Sequence, residues 1–476
     1  MKGILVQLAS VLILGIGAFI GAYSLTWVSY TAPLLESEAS PLGVVMTKSQ
    51  TNVMTSVVTL GSMVAALTTG QLPELVGRKK SELFCGLLCV LSWALIASAH
   101  SVTQIIIARF ILGYGVGIHL VVVFTYINEI CQAFIRGTMA SIPLFTFSIG
   151  ALVSYITGWV CSYDVIIYLN LSVCVLFVLL LTLMKESPVY LITKNETKEA
   201  LTSLKFYRGT SKTTTAVLEE FEYLRTQRQG YTKVNKDDNI ILEHIGCEKE
   251  KEGSADDISP WKILRTSKPT QRAIITLTAH VIITAFMGGM AVQAYAVHFF
   301  LAAAPDLSPH LCSVILAVAI VIGNILAVLC TDLVGRRLLL ISTCAICTIC
   351  LGTLVGLLRW SGSPAWAVPL VMQLYSCAFQ AGVNNVPLVQ LSESFSPKVK
   401  SLASSIVMSS TCFSNFALLS IFSLLVDHLG LDGTFLMFCV ISAAATVLTF
   451  LTAKETKGIR LEEIQGMYER GFLYYK

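Results

Sequence analysis

Apolar residues run along this chain in blocks about as long as the roughly 20 residues that a membrane-spanning helix needs. Such blocks lie near 5–30, 51–72, 83–99, 103–125, 141–161, 165–184, 272–303, 309–331, 338–358, 364–390, 401–426 and 431–452. They fall into two groups of six around a polar stretch, 185–268, that carries 15 Lys and Arg and 14 Asp and Glu. Within that stretch, KNETKEALTSLKFYRG and TAVLEEFEYLRTQRQ set apolar residues at helical spacing and predict short surface helices. The NKDD and EKEKEGSADD segments are almost wholly polar and predict disorder. The division expected is an N-terminal bundle over 1–184, a linker over 185–268, a C-terminal bundle over 269–453 and a tail over 454–476.

Composition agrees with the pattern. The 476 residues are 55% hydrophobic and 13% charged, with mean hydropathy +0.73, whereas a soluble domain carries about 25% charged residues. The first apolar run is too long for a signal-peptide core and lacks a small-residue cleavage site, so it is expected to remain as helix one. Of 33 Lys and Arg, 30 fall on one face with both termini, leaving Lys48 and Arg359 opposite and Arg109 at the start of the fourth helix. That face is predicted to be cytoplasmic, and an integral protein of the plasma membrane is expected. The net charge of +4 then records topology rather than a nucleic-acid partner. Most of the 14 cysteines fall inside predicted helices with no metal spacing, so neither metal nor cofactor is expected. The sequons at Asn170 and Asn195 fall in a span and on the basic face, where glycosylation is not expected.

A short charged phrase occurs twice. ELVGRKK, from Glu74, lies between helices two and three, and DLVGRRL, from Asp332, lies between helices eight and nine. NEICQAFIRG after helix four, with Glu129 seven residues before Arg136, is echoed after helix ten by SESFSPKVKS, with Glu393 seven residues before Lys400. KESP with Glu186 is echoed by KETKG with Glu455. The three offsets, 258, 264 and 269, are nearly constant, which argues for a parallel duplication: two six-helix bundles related by an axis along the membrane normal.

These motifs resemble those of the major facilitator superfamily and, within it, the sugar porter family. GQLPELVGRKK is similar to the G-x-x-x-D-x-x-G-R-K signature with Glu74 in place of Asp, and RFILGYGVG, from Arg109, to R-x-x-x-G-x-G-x-G. YINEICQAFIRG, KESPVYL, DLVGRR, SESFSPKVK and KETKG resemble Y-x-x-E…RG, PESPRWL, D-x-x-GRR, SEIFP-x-x-x-R and PETKG. Overall the sequence looks most like the insect facilitated trehalose transporter group. The resemblance implies an all-α membrane protein of twelve transmembrane helices in the major facilitator fold, with a helical cytoplasmic linker.

Charges repeated at helix ends on one face can latch two bundles together when a cavity opens to the other side. Glu74, Arg78, Arg109, Glu129, Arg136, Glu186, Asp332, Arg336, Glu393, Lys400 and Glu455 form this expected cytoplasmic gate. Away from the helix ends, no Asp, Glu, Lys or Arg falls at midplane depth, where such groups mark ion or proton paths. Proton-coupled members of the family carry an acid in helix one, and GAYSLTWVSYTAPLL has none. Single helical histidines such as His119 and His298 read as packed side chains. The expectation is therefore a neutral solute, a sugar such as trehalose or a hexose, moving downhill by uniport.

The family's sugar-binding amides are largely replaced. Leu144 stands for the helix-five glutamine, Leu388 for the helix-ten tryptophan, and Ala285, Phe286, Gly288, Gly289 and Ala291 run across the helix-seven motif. The polar and aromatic residues left near the midplane are Gln293 and Tyr295 in helix seven, Phe379, Gln380, Asn384 and Asn385 around a break before Pro387, and Thr411 and Asn415 in helix eleven. Of these, Tyr295, Phe379 and Asn415 match family positions. Such amides and aromatic faces suit a neutral polyol. Another neutral polar solute, or a transporter-like sugar sensor, is the alternative; the short tail after helix twelve favours a carrier. No nucleotide loop or nucleophile–base pair points to an enzyme, and no obligate protein partner is implied beyond the lipid bilayer.

Overall fold

Every apolar block forms helix, because in lipid a backbone N–H or C=O must be satisfied within its own segment. The computed structural model describes residues 2–70, 72–132, 134–210, 212–229, 264–360, 362, 364–395, 397–459 and 461–473. The NKDD and EKEKEGSADD segments lie outside the described residues.

The first half contains α1 (Lys2–Leu35), α2 (Lys48–Thr68), α3 (Leu72–Val76), α4 (Arg78–Ala97), α5 (Val102–Ile130), α6 (Arg136–Val160) and α7 (Tyr163–Leu183). Caps fix several starts: Thr47 and Gln50 form a capping box before α2, and Ser101 accepts from Gln104 N–H at the head of α5. Short helices α8 (Pro188–Thr193), α9 (Thr197–Tyr207) and α10 (Thr215–Gln229) follow. The last two coincide with the two helices predicted in the polar stretch. They bury Tyr190, Leu204, Val217 and Phe221 in a small apolar cluster of their own.

The second half is less regular. Its seventh apolar block is broken into α11 (Lys268–Ala285), α12 (Gly289–Ala294) and α13 (Ala296–Ala303). Next come α14 (Pro309–Val334) and α15 (Arg336–Arg359). The tenth block comprises α16 (Ala367–Ala378), a π-helical turn at Phe379–Val383, and α17 (Val386–Glu393). The last two blocks run together as α18 (Pro397–Thr452), which bends at Gly430 (φ 72°), and α19 (Leu461–Arg470) is the last helix described. Ten of these helical stretches are long and apolar enough to cross a membrane.

In the first half α1 packs on α6, α2 on α5, and α4 on α5 and α7; in the second α15 packs on α16 and α18, and α11 on α18. The halves meet where α2 lies along α18, α6 along α14, and α1 against α12 and α13. Large apolar side chains such as Leu87, Leu179, Ile349 and Val440 point outward, an exterior suited to lipid tails. The duplication thus becomes two bundles with an interface between them, and the break in α11–α13 falls at that interface, while the π turn between α16 and α17 packs on α14 and α15 of its own bundle.

Candidate functional site

The repeated phrases build the same cluster twice on the basic face. In the first bundle Arg78 Nη2 donates to Glu129 Oε1 at 2.8 Å, Ser187 Oγ donates to Glu129 Oε2 at 2.5 Å, and Arg78 Nη1 donates to the Pro73 carbonyl at 2.8 Å. Glu186 accepts the backbone N–H groups of Arg78 and Lys79 at 2.8 and 3.0 Å. In the second bundle Arg336 Nη2 donates to Glu393 Oε1 at 2.8 Å, Thr456 Oγ1 to Glu393 Oε2 at 2.5 Å, and Arg336 Nη1 to the Thr331 carbonyl at 3.0 Å. Glu455 accepts from the N–H groups of Arg336 and Arg337 at 3.0 and 3.1 Å.

The chemistry of the two clusters is the same. A carboxylate neutralises the orphan donors and positive dipole at a helix N-terminus while an arginine ties that helix to its neighbour. Burial would raise Glu455, but the N–H groups of Lys457, Arg336, Arg337 and Thr456 outweigh it and hold its carboxyl below the ordinary value. Gly77 and Gly335 adopt φ of 107° and 96° at these turns, and a side chain there would run into Glu186 or Glu455.

Not every expected gate residue joins a cluster. Arg109 does not lie on the basic face: it sits two turns into α5 from the far end, fully buried, and donates to the Met54 and Ser24 carbonyls at 3.3 and 2.5 Å. Its guanidinium lies 5.4 Å from the Trp27 ring. Arg136 reaches the Cys131 carbonyl at 3.5 Å, and Lys400 the Ser392 carbonyl at 2.9 Å. Glu74 is exposed, with no ion pair among the described residues. Asp332 is the third residue from the end of α14, and its side chain lies outside the described residues. Among the described residues, the hydrogen bonds that build each cluster stay within one bundle in this conformation.

The bundles are joined instead at the far face. Lys48 Nζ lies 3.6 Å from Asp427, His298 Nε2 lies 3.8 Å from Glu36, and the Tyr295 hydroxyl donates to Asn52 Oδ1 at 3.2 Å. The break between α12 and α13 is stitched from the other bundle. Val297 N–H, whose helical partner would be the Gln293 carbonyl, donates to Ser29 Oγ at 3.0 Å, while that carbonyl accepts the Tyr155 hydroxyl at 2.5 Å. The far side of the interface is closed.

At mid-depth the π turn gathers part of the expected site. Phe379, Gln380 and Asn385 are buried together, with Asn385 Nδ2 donating to the Gln380 carbonyl at 2.7 Å. Asn384 is exposed, and its N–H closes the turn on the Phe379 carbonyl at 2.9 Å. The Gln293 carbonyl and the Tyr295 hydroxyl meet the first bundle at the closed interface, and Tyr295 stacks on Phe422 with centroids 4.8 Å apart. On α18, the Thr411 hydroxyl is spent on the Val407 carbonyl, while Asn415 Oδ1 is buried with no hydrogen-bond partner among the described residues. Asn385 Oδ1 is left open in the same way.

The pattern of polar residues did not single out Asn324. Its Oδ1 accepts from Asn385 at 2.7 Å and its Nδ2 donates to Ser148 of the opposite bundle, so a polar seam crosses the interface where Leu144 interrupts the family's pattern. An amide inside the apolar run IVIGNIL was the available signal. The glycines read as lost ligands prove to be packing sites. Gly288 breaks the helix at φ 95°, and the Phe379 ring lies where a Gly289 side chain would be.

A family model described as "Sugar (and other) transporter" matches residues 10–468. Among curated proteins, the chain is 28% identical over 445 residues to a sugar transporter, ERD6-like 2, of Arabidopsis thaliana, covering 92% of this chain and 89% of the relative. It is 24% identical over 445 residues to a facilitated trehalose transporter, the Tret1-2 homolog of Drosophila simulans, covering 92% and 86%. Among solved structures, the inward-open xylose transporter XylE from E. coli superposes with a TM-score of 0.71 at 20% identity, covering 96% of this chain and 98% of that one. The partially occluded inward-open form of the same protein gives 0.72 at 20% identity, covering 95% and 99%.

Proposed function

The chain belongs to the Sugar (and other) transporter family, and from that premise we propose that it is a uniporter for a neutral sugar, trehalose or a hexose. It works by alternating access, with bundle 1–184 rocking against bundle 269–453 in the plasma membrane and both termini in the cytoplasm. The basic face is then the cytoplasmic one, and the far-face bonds close the extracellular side.

The observation that carries this reading is the buried mid-depth set of Gln380, Asn385, Asn324 and Asn415, amides with two open carbonyl oxygens and no carboxylate among them. Open acceptors suit hydroxyl groups, and an aromatic ring such as that of Phe379 suits the CH face of a sugar. Gln293, Tyr295, Asn384 and Thr411 complete the proposed binding set. Arg78, Glu129 and Glu186, with Arg336, Glu393 and Glu455, hold the helix ends that part and meet in the cycle. A relative named as a facilitated trehalose transporter supports trehalose and downhill movement.

Leu144, Leu388 and the Gly288–Gly289 pair favour a second reading, another neutral polar solute, because a buried partner left without its hydrogen bond costs about 1–3 kcal/mol. Uptake of labelled trehalose and glucose into proteoliposomes, with and without a proton gradient, separates the two. Saturable uptake that ignores the gradient supports the sugar uniporter; no uptake of either sugar by folded protein favours the second reading.

A further inference from the structure

An ionisable pair lies inside the N-terminal bundle, apart from the proposed sugar site. Glu82 on α4 and His119 on α5 are 0% and 1% exposed, and Glu82 Oε2 stands 2.9 Å from His119 Nδ1. The histidine read as a lone packed side chain therefore has a carboxyl partner 37 residues away in sequence. The remaining polar atoms of the pair, Glu82 Oε1 and His119 Nε2, are buried without partners among the described residues.

Among the described residues, neither member of the pair makes a second ion pair. The Phe177 ring of α7 stands edge-on to the imidazole with centroids 6.4 Å apart, and Gly17 of α1 lies so close that a side chain there would fall 2.6 Å from His119 Cε1. Titratable neighbours are Cys85 and Cys89 on α4, Cys174 on α7 and Tyr126 on α5; α1 carries none from residue 13 to 21. One turn along α4, Arg78 is committed to Glu129, and Lys79 to the Thr182 and Met184 carbonyls.

The second bundle shows that packing does not require this pair. At the offsets of 258 and 264 that relate the clusters, Glu82 corresponds to Leu340 and His119 to Val383, both aliphatic and both 0% exposed. The fold fills the equivalent place with hydrocarbon. A buried acid and imidazole in its stead, at the high cost of desolvating them, mark a site kept for its charge.

We propose that Glu82 and His119 form a one-proton binding site whose occupancy sets the rate of transport. One shared proton makes the pair neutral overall, whether it rests on the carboxyl or completes an imidazolium beside a carboxylate. Without that proton a bare carboxylate is left in the bundle core, and a second proton leaves a bare imidazolium; both are disfavoured where water is excluded. Loss of the proton thereby leaves an unpaired charge between α4 and α5, inside the bundle that must rock, and slows the cycle.

The link to rate rests on the transport reading; proton binding does not, so two measurements keep them apart. The first follows labelled histidines by NMR in purified protein without sugar. His119 is expected to titrate in a single step that moves in Glu82→Gln. A His119 signal constant across the pH range of the folded protein, or unaffected by Glu82→Gln, overturns the site.

The second follows uptake in proteoliposomes at equal pH on both sides. Wild type is expected to slow on the alkaline side by roughly tenfold per pH unit past the midpoint, the slope of one proton. The double variant Glu82→Leu with His119→Val, which copies the second bundle, is expected to lose that step. If this variant does not fold, the near-isosteric Glu82→Gln takes its place. Identical profiles in wild type and variant overturn the link to rate. Sugar accumulation driven by a proton gradient and lost in Glu82→Gln supports the site while overturning uniport.

Discussion

Tyr155 of the first bundle holds the backbone carbonyl of Gln293 in the second, 2.5 Å from its hydroxyl, at the point where helix seven is interrupted. With Ser29 taking the Val297 N–H, the first bundle satisfies both halves of a missing helical hydrogen bond. When the bundles part, those two groups lose their partners and can close on each other, so the break depends on the closed far face.

Tyr155→Phe keeps the ring and removes one stitch, worth about 0.5–1.5 kcal/mol, or roughly a two- to tenfold shift toward the state open at the far face. Hydrogen–deuterium exchange over residues 289–303 reads this directly. Altered exchange there, with the rest of the protein unchanged, is expected in Tyr155→Phe and more strongly with Ser29→Ala. Unchanged exchange would mean that the contact does not contribute to closure.

The closed face should also respond to pH through Glu36. The His298 side chain 3.8 Å away is the main cause that holds the Glu36 carboxyl below its ordinary 4.5; burial opposes it, and Thr51 and Lys48 assist. The sign follows from linkage. Closure lowers the carboxyl's pKa, so it gains stability that is fully present above the ordinary value and is lost as pH falls through the lowered one. The pair is partly exposed, which limits the effect to about 0–1 kcal/mol. Pulsed EPR distances between labels at Ser40 and His428, on the far rims of opposite bundles, are expected to lengthen on external acidification. Glu36→Gln should flatten that response, and a wild type insensitive to acid down to the limit of folding would count against the latch.

The outline of this molecule was legible because bilayer span and charge asymmetry leave long-range signals, and because the doubled phrases place equivalent corners of two bundles. Pairing across helices was not. Glu129 and Arg136 stand seven apart, which suggests a local relation, but α5 ends at Ile130 and α6 begins at Arg136, so Glu129 turns to Arg78. Arg109 carries a family motif yet enters α5 from the far side, because alternate spans run in opposite directions. Gly289 read as a missing ligand, whereas what it admits is the Phe379 ring. Contacts between residues dozens of positions apart, such as Asn324 with Asn385 and Glu82 with His119, become visible only when the helices are packed.

The repetition has an energetic consequence. Glu186 and Glu455 cap their helices through matching bonds in separate bundles, so Glu186→Gln and Glu455→Gln are expected to destabilise by similar amounts, about 0.5–2 kcal/mol each. Their effects should add in the double variant because the sites share no partner. Arg78→Ala should cost more, about 3–5 kcal/mol, because it strands the buried Glu129 carboxylate. Thermal unfolding of the purified variants checks all of these. A strongly unequal pair of glutamine variants would show that like geometry does not carry like energy here.

The polar seam makes the most specific claim about the solute. Asn385 Nδ2 is held by the Asn324 carbonyl and the Gln380 backbone, so Asn385 Oδ1 is left open and fixed in direction. A fixed acceptor selects a donor such as a hydroxyl, and it carries that selectivity only while Asn324 holds the amide in place. Asn385→Leu removes the acceptor and is expected to lower kcat/KM for the transported sugar by roughly 5- to 150-fold, corresponding to about 1–3 kcal/mol. Asn324→Leu leaves the acceptor but frees its orientation, so its loss should be smaller and fall mainly on KM. Gln380→Leu tests the neighbouring amide on the same turn. Concentration-dependent uptake by the three variants, normalised to folded protein, ranks them; equal losses in kcat with KM unchanged would assign the seam to bundle motion instead of recognition.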